Sequence, residues 1–279
     1  MVVYQVRRSM NPNWGERTMN LSKNDLEDLR FAKRLLEEPG LAAKISNLFG
    51  TSIEKGFELL PEKWHDIVLK VATESLQKAL DFAIKTMNDR QKTASSNLTH
   101  KILVTATGAG GGAFGLSSLA VELPISTTII LRSIADIARS EGEQIKMVET
   151  RLACLEVFAL GGKTLKDDGT ETGYFFVRSA LARAISDAAQ HIVKIGLGQK
   201  GAPALVRLIS AIATRFGIVV SEKAAAQAVP VIGAVGGALI NTIFIDHFQD
   251  MARGHFIVRR LERNYGTQLV KEAYDKIVL

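Results

Sequence analysis

The stretch KILVTATGAGGGAFGLSSLAVEL, residues 101–123, carries the residue types that hold nucleotide phosphates. Gly110, Gly112 and Gly115 satisfy the spacing G-x-G-x-x-G, and a β-branched run precedes them. Glycines so spaced let the backbone come close to a pyrophosphate at a helix N-terminus, and an acid downstream, here Asp136, would hold the ribose. This makes the chain a candidate nucleotide- or dinucleotide-dependent enzyme using segment 108–115. The surroundings argue against it. Pro124 leaves room for only a short crossover helix, and no strand–helix alternation follows.

Other constellations fail at their second half. The run TGAGGGAFG is similar to the short-chain dehydrogenases, which need a Tyr-x-x-x-Lys pair. The residues four past Tyr4, Tyr174, Tyr265 and Tyr274 are Arg8, Arg178, Leu269 and Val278. GGKT, residues 161–164, is half of a P-loop, but Val157 stands where the first glycine belongs, so Gly161 and Gly162 read as a helix stop. Asp246, His247, Asp250, Arg253 and His255 are rich in metal-ligand types, yet they do not converge at any recognised spacing, and no metal is expected. Cys154, the single cysteine, lies in the apolar run ETRLACLEVFAL and reads as a packing thiol; alone it forms no intrachain disulfide, which points to a reducing compartment.

The elements that must position these residues are helices. The 279 residues are 47% hydrophobic and 23% charged, so the chain is globular. A net charge of +6 fits either an ordinary soluble basic surface or one that meets an anionic membrane or acidic partner; nucleic acid is not expected, because no basic run is interleaved with aromatics. Ser22 and Asp25 have capping-box spacing ahead of a helix that stops before Pro39, and Pro61 suits the first turn of the next. Further helices are expected from about Pro124, over 143–160, 174–198 and 202–217, through RGHFIVRRLERNYG, and at the C-terminus. KTLKDDGTETG reads as a loop. Residues 1–20 read as a poorly ordered lead-in to one all-α, multi-helix domain over 21–279.

Two uncharged segments, Ile102–Val121 and Ala224–Ile245, have transmembrane length, yet fewer than half their residues are Val, Ile, Leu or Phe. Glycine and alanine fill the rest. Gly108/Gly112, Gly111/Gly115 and Gly233/Gly237 have the small-xxx-small spacing that lets helix backbones approach, so both segments are expected to form glycine-rich helical hairpins in a core or a lipid boundary. Glu122 and Asp246 read as the points where these segments return to water. Asp136/Arg139 and Asp250/Arg253 share Asp-x-Ala-Arg, a hint of paired hairpins. They form either ion pairs within one helix or cross-pairs between two, Asp136 to Arg253 and Asp250 to Arg139.

Taken together, TGAGGGAFGLSSLAVELPISTTIILRSIADIARSEGE, LACLEVFALGG and INTIFIDHFQDMARGHFIVRRLERNYG resemble the EcsC protein family over most of residues 20–266. The family takes its name from a protein encoded beside an ABC-transporter ATPase and permease, and no catalytic residue carries over. The resemblance implies a bacterial-type accessory protein, cytoplasmic or peripheral at the inner membrane face, with a membrane surface or a membrane protein such as an ABC transporter as partner. No cofactor is implied. Arg253, Arg259, Arg260 and Arg263, beside the second glycine-rich segment, are the basic residues expected to serve that contact.

Overall fold

The computed structural model describes residues 21–37, 40–50, 53–86, 116–162, 173–195 and 202–279. Among them are ten helices and no strand: α1 (Lys23–Glu37), α2 (Leu41–Phe49), α3 (Glu54–Glu58), α4 (Trp64–Thr86), α5 (Leu116–Ser140), α6 (Val148–Leu160), α7 (Gly173–Ile195), α8 (Pro203–Ala228), α9 (Pro230–Tyr265) and α10 (Thr267–Lys276). The all-α expectation holds, and with no strand in these residues a doubly wound sheet has no framework there. Gly108, Gly110, Gly111, Gly112, Gly115, the 1–20 lead-in and residues 163–172 of the expected loop KTLKDDGTETG lie outside the described residues; the last residue of that stretch, Gly173, is not loop but opens α7.

Helix α8 occupies the middle. It packs against α2, α3, α4, α6, α7 and α9. Its mean hydropathy of 1.7 is high enough, and its length great enough, to cross a bilayer. A helix packed against six neighbours, with half of that stretch buried inside the fold, needs a similar composition. Leu208, Ile212, Ala213, Phe216, Val219, Val220, Ala225 and Ala226 are fully buried. Phe216, Phe158 of α6 and Phe248 of α9 meet edge-on or tilted, with ring centroids 5.0–5.6 Å apart.

Three helix boundaries differ from the sequence expectation. Helix α5 does not begin near Pro124 but runs through it from Leu116. Proline removes one backbone donor, leaving the Ala120 carbonyl without its usual i+4 partner. The buried Ser126 hydroxyl donates to the Leu123 carbonyl (3.1 Å), and Thr128 donates to that of Pro124 (2.9 Å). Helix α8 continues past Gly217 to Ala228. The second glycine-rich segment is therefore the end of α8, a break at Val229 and the start of the 36-residue α9, which also absorbs RGHFIVRRLERNYG. Val229 is extended (φ −71°, ψ 117°), as a residue before proline prefers, and Pro230 opens the next helix.

The α1 start matches its spacing. The Asp25 amide donates to Ser22 Oγ at 3.1 Å, and Ser22 Oγ donates to the Asp25 carboxylate at 2.6 Å. Tyr265 of α9 donates its hydroxyl to the same carboxylate at 2.6 Å. Together, Ser22 first and then Tyr265, these bonds hold the Asp25 carboxyl below the usual range.

Close helix approach is made by glycines, partly at unexpected positions. A Cβ on Gly56 would land on the Ala225 carbonyl, and one on Gly162 on the Arg215 carbonyl. One on Gly161 would strike the His247 ring, and one on Gly254 would strike Leu36 and the Ala32 carbonyl. Gly161 does follow α6, but in right-handed conformation (φ −72°). Contact, not turn chemistry, selects glycine there. Gly237 is buried in α9, and Gly233 lies in the same helix. Gly217, by contrast, has nothing within 4 Å of an added Cβ. Gly56→Ala and Gly162→Ala should each destabilise by about 1–3 kcal/mol or more through overpacking, whereas Gly217→Ala should stabilise by about 0.5–1 kcal/mol. Urea denaturation of the three variants checks the contrast.

Candidate functional site

A core of tightly packed helices excludes water, so every charge inside it needs a partner. Among the described residues, two groups bring buried titratable side chains together. The first joins α5 to α8. Lys223, fully buried, donates to Glu122 at 2.5 Å and stands 4.6 Å from the Phe244 ring centroid. Burial draws the Lys223 ammonium below its ordinary range, while Glu122 pulls it back up. Glu122 is thus not where the chain returns to water; it is 5% exposed and its charge turns inward. Asp246 is half-buried.

The second group lies among α6, α7 and α9. Tyr174 Oη is 3.0 Å from His255 Nδ1, and His255 Nε2 is 3.9 Å from Glu156 Oε2, all three residues being buried. Burial pushes the Tyr174 hydroxyl up, so it keeps its proton. Burial first, then Arg178 and Arg259, push His255 well below 6.5, so the ring is neutral. Burial raises the Glu156 carboxyl from 4.5 to about 7, against the pull of Arg178 and Arg259. Arg178 forms a two-pronged pair with Glu262 at 2.8 and 3.0 Å.

The arginines expected to face a membrane are engaged within the fold. Arg259 and Arg263 both grip Glu143 of the α5–α6 turn, the former at 2.8 Å. Burial pushes the Glu143 carboxyl up, but these two arginines more than offset it and hold it below 4.5. Arg260 bridges Asp28 (2.5 Å) and Glu141 (3.1 Å), and Arg253 pairs with Asp250 (3.0 Å). Asp250 also meets Lys44 at 3.1 Å, and Asp136 pairs with Arg139 at 2.5 Å. Both Asp-x-Ala-Arg elements therefore close within their own helices, and the cross-paired arrangement is not the one formed.

What the two elements do share is level. Gln249 of α9 donates to Ser133 of α5 at 2.7 Å, and Arg259 reaches Glu143, so α5 and α9 run side by side in the same direction. Their first halves lie at one end of the molecule. Between Leu119 and Leu131 the residues of α5 open to solvent are Ala120, Val121, Ile125, Thr128 and Ile129. Between Gly236 and Ile245 those of α9 are Ala238, Leu239, Thr242 and Ile243. None is charged. Val121 is 69%, Ile125 46% and Leu239 41% exposed.

The EcsC protein family matches residues 23–261, most of the chain. The chain belongs to the EcsC protein family. No curated protein and no solved structure matches it.

In this EcsC-family chain the half P-loop has a structural role. Arg215 donates to the Ala159 carbonyl (2.9 Å) and to that of Gly162 (2.6 Å), capping α6 while the two backbones touch. His247 Nε2 is 3.3 Å from the Gly161 carbonyl, and Asp250 and His255 have the partners given above, so Asp246, His247, Asp250, Arg253 and His255 diverge. Cys154 is fully buried, and burial pushes its thiol to about 12, consistent with a packing role. Sequence reading missed Lys223, Glu156 and the Tyr174–His255 contact. The available signal was isolation: Glu156 is the lone charge between Arg151 and Lys163, and Glu222–Lys223 the lone charges between Arg215 and Asp246.

Glu122→Gln should destabilise the fold by about 3–5 kcal/mol because it leaves a buried ammonium without its counter-charge, and pairing Glu122→Leu with Lys223→Met should restore most of the loss. Guanidinium unfolding of the single and double variants reads this out. For Glu156 the folded pKa lies above the unfolded one, so its contribution is complete below 4.5 and is lost as pH rises through about 7. Glu156→Gln should therefore gain stability relative to wild type between pH 5 and 8, by on the order of 2–3 kcal/mol. Paired melting curves across that window test the sign.

Proposed function

We propose that this protein is a non-catalytic accessory protein of the EcsC family that docks on a membrane-protein partner at the inner face of the membrane. The observation that carries this reading is the uncharged exposed residues on the first halves of two helices that pack together, α5 and α9, with Val121, Ile125 and Leu239 open to solvent. Apolar side chains of this size, exposed and free of charge, fit a protein contact. The ion pairs of Arg253, Arg259, Arg260 and Arg263 favour a protein over a bare anionic bilayer. With these arginines committed to carboxylates, they supply little attraction for lipid headgroups. The family's association by name with an ABC transporter makes such a transporter the leading partner class.

Cell fractionation tests this. Protein in the membrane fraction should resist a high-salt wash, since its contact is apolar, and detergent should release it. Val121→Asp with Ile125→Asp should move it to the soluble fraction with an unchanged melting temperature, because both side chains are exposed. A photo-crosslinking residue at position 121 should capture a membrane protein. Wild type found entirely in the soluble fraction would overturn the reading, as would crosslinks to lipid alone.

A further inference from the structure

Away from the α5–α9 surface, helices α2, α3, α4 and α8 enclose a cleft of about 570 Å³, within the size range of small-molecule sites. Its walls combine two kinds of group. Phe57 and Trp64 form an aromatic pair, ring centroids 5.5 Å apart and tilted by 42°, and His65 stacks on Trp64 at 3.5 Å. Glu54, Asp66 and Glu222 supply carboxylates, and no lysine or arginine is among the described residues lining the cleft. In a chain of net charge +6, this is a locally acidic, aromatic recess.

Two features of α8 point to an occupant. Glu222 reaches the start of α2 and accepts the Ala42 amide at 3.1 Å, yet burial still raises its carboxyl above the ordinary range. One amide does not replace the water it has lost. One turn away, Gly217 also lines the cleft, and an added Cβ there would meet nothing within 4 Å. Glycine in mid-helix is unfavourable, and at the other close contacts of this fold a neighbouring backbone or side chain explains it. At Gly217 only the open cleft does.

We propose that this cleft binds a small organic cation, an alkylated ammonium on a short apolar chain, with the charge held by Glu222 and the alkyl groups against Phe57 and Trp64. An anion would meet carboxylates with no basic side chain to answer it. A neutral ligand would leave Glu222 without a counter-charge. An alkylated ammonium is weakly hydrated, so it enters an apolar recess at lower cost than a bare ammonium, and it is drawn to aromatic faces. The proposal does not depend on membrane docking.

The test uses the full chain with Trp14→Phe, which leaves Trp64 as the one tryptophan of the two to report on the cleft. Hexyltrimethylammonium, 1-hexanol and hexanesulfonate are titrated by fluorescence and by calorimetry. The cation should bind saturably, and the neutral and anionic probes should bind at least about tenfold more weakly. Glu222→Gln keeps an acceptor for the Ala42 amide while removing the charge, and should weaken the cation by about tenfold or more. Gly217→Leu, whose Cβ enters open space, should abolish binding, with the melting temperature recorded alongside to show that the fold is intact. Equal binding of hexanol or hexanesulfonate would overturn the proposal. So would an unchanged affinity in Glu222→Gln, or no saturation by the cation below about 10 mM.

Discussion

Backbone-close contact around α8 is the constraint from which the rest of this structure follows. Six helices can surround one only if several of them come nearer than ordinary side chains allow. Gly56 against Ala225 and Gly162 against Arg215 are such places, each with a carbonyl where a Cβ would stand. Alanines 213, 224, 225 and 226 on α8 do the same work from the other side. This explains why a chain poor in aromatics, at 6%, still closes a large core. Its Phe158, Phe216 and Phe248 meet one another in that core, and Gly161 packs against Phe248.

Dense packing then dictates how charge is handled. Water is excluded between helices this close, so the charged side chains inside must be answered by protein groups or lose their charge. Both outcomes occur. Lys223 and Glu122 meet as a pair, whereas Glu156 and His255 are driven toward their neutral forms by burial. Helix ends follow the same rule. Lys33 donates to the carbonyls of Tyr274 and Ile277 at 2.9 Å each, and Arg215 to those after α6. These cations serve the fold, each held by a carbonyl or carboxylate of the same chain.

The sequence was informative wherever a local rule sufficed. The Ser22–Asp25 cap, the helical character of the longer segments and the burial of Cys154 all follow from spacing or from neighbours within a turn or two, whereas the short helices α2 and α3 carried no such signal. The family resemblance was legible as well, because it rested on long runs. What escaped reading depended on contacts distant in the chain. Gly161 and Gly162 looked like a stop signal because nothing nearby announces His247 or Arg215. Pro124 looked like a helix start because its tolerance inside α5 comes from surrounding packing and hydroxyl bonds. Arg259 and Arg263 looked free because Glu143 lies more than a hundred positions earlier. The cleft between α2, α3, α4 and α8 was invisible for the same reason.

The ties between α1 and the end of the described chain carry a consequence for synthesis. Lys33 caps α10 across a separation of 241 residues, and Arg260 reaches Asp28 across 232. At ribosomal speeds of about 5–20 residues per second, α1 waits roughly 10–50 s for the partners that bury Leu29, Ala32 and Leu36. During that interval its apolar stripe is exposed on a nascent chain. A helix whose partners arrive so late is an obvious place for a chaperone to hold, and its docking is among the last events that close the core.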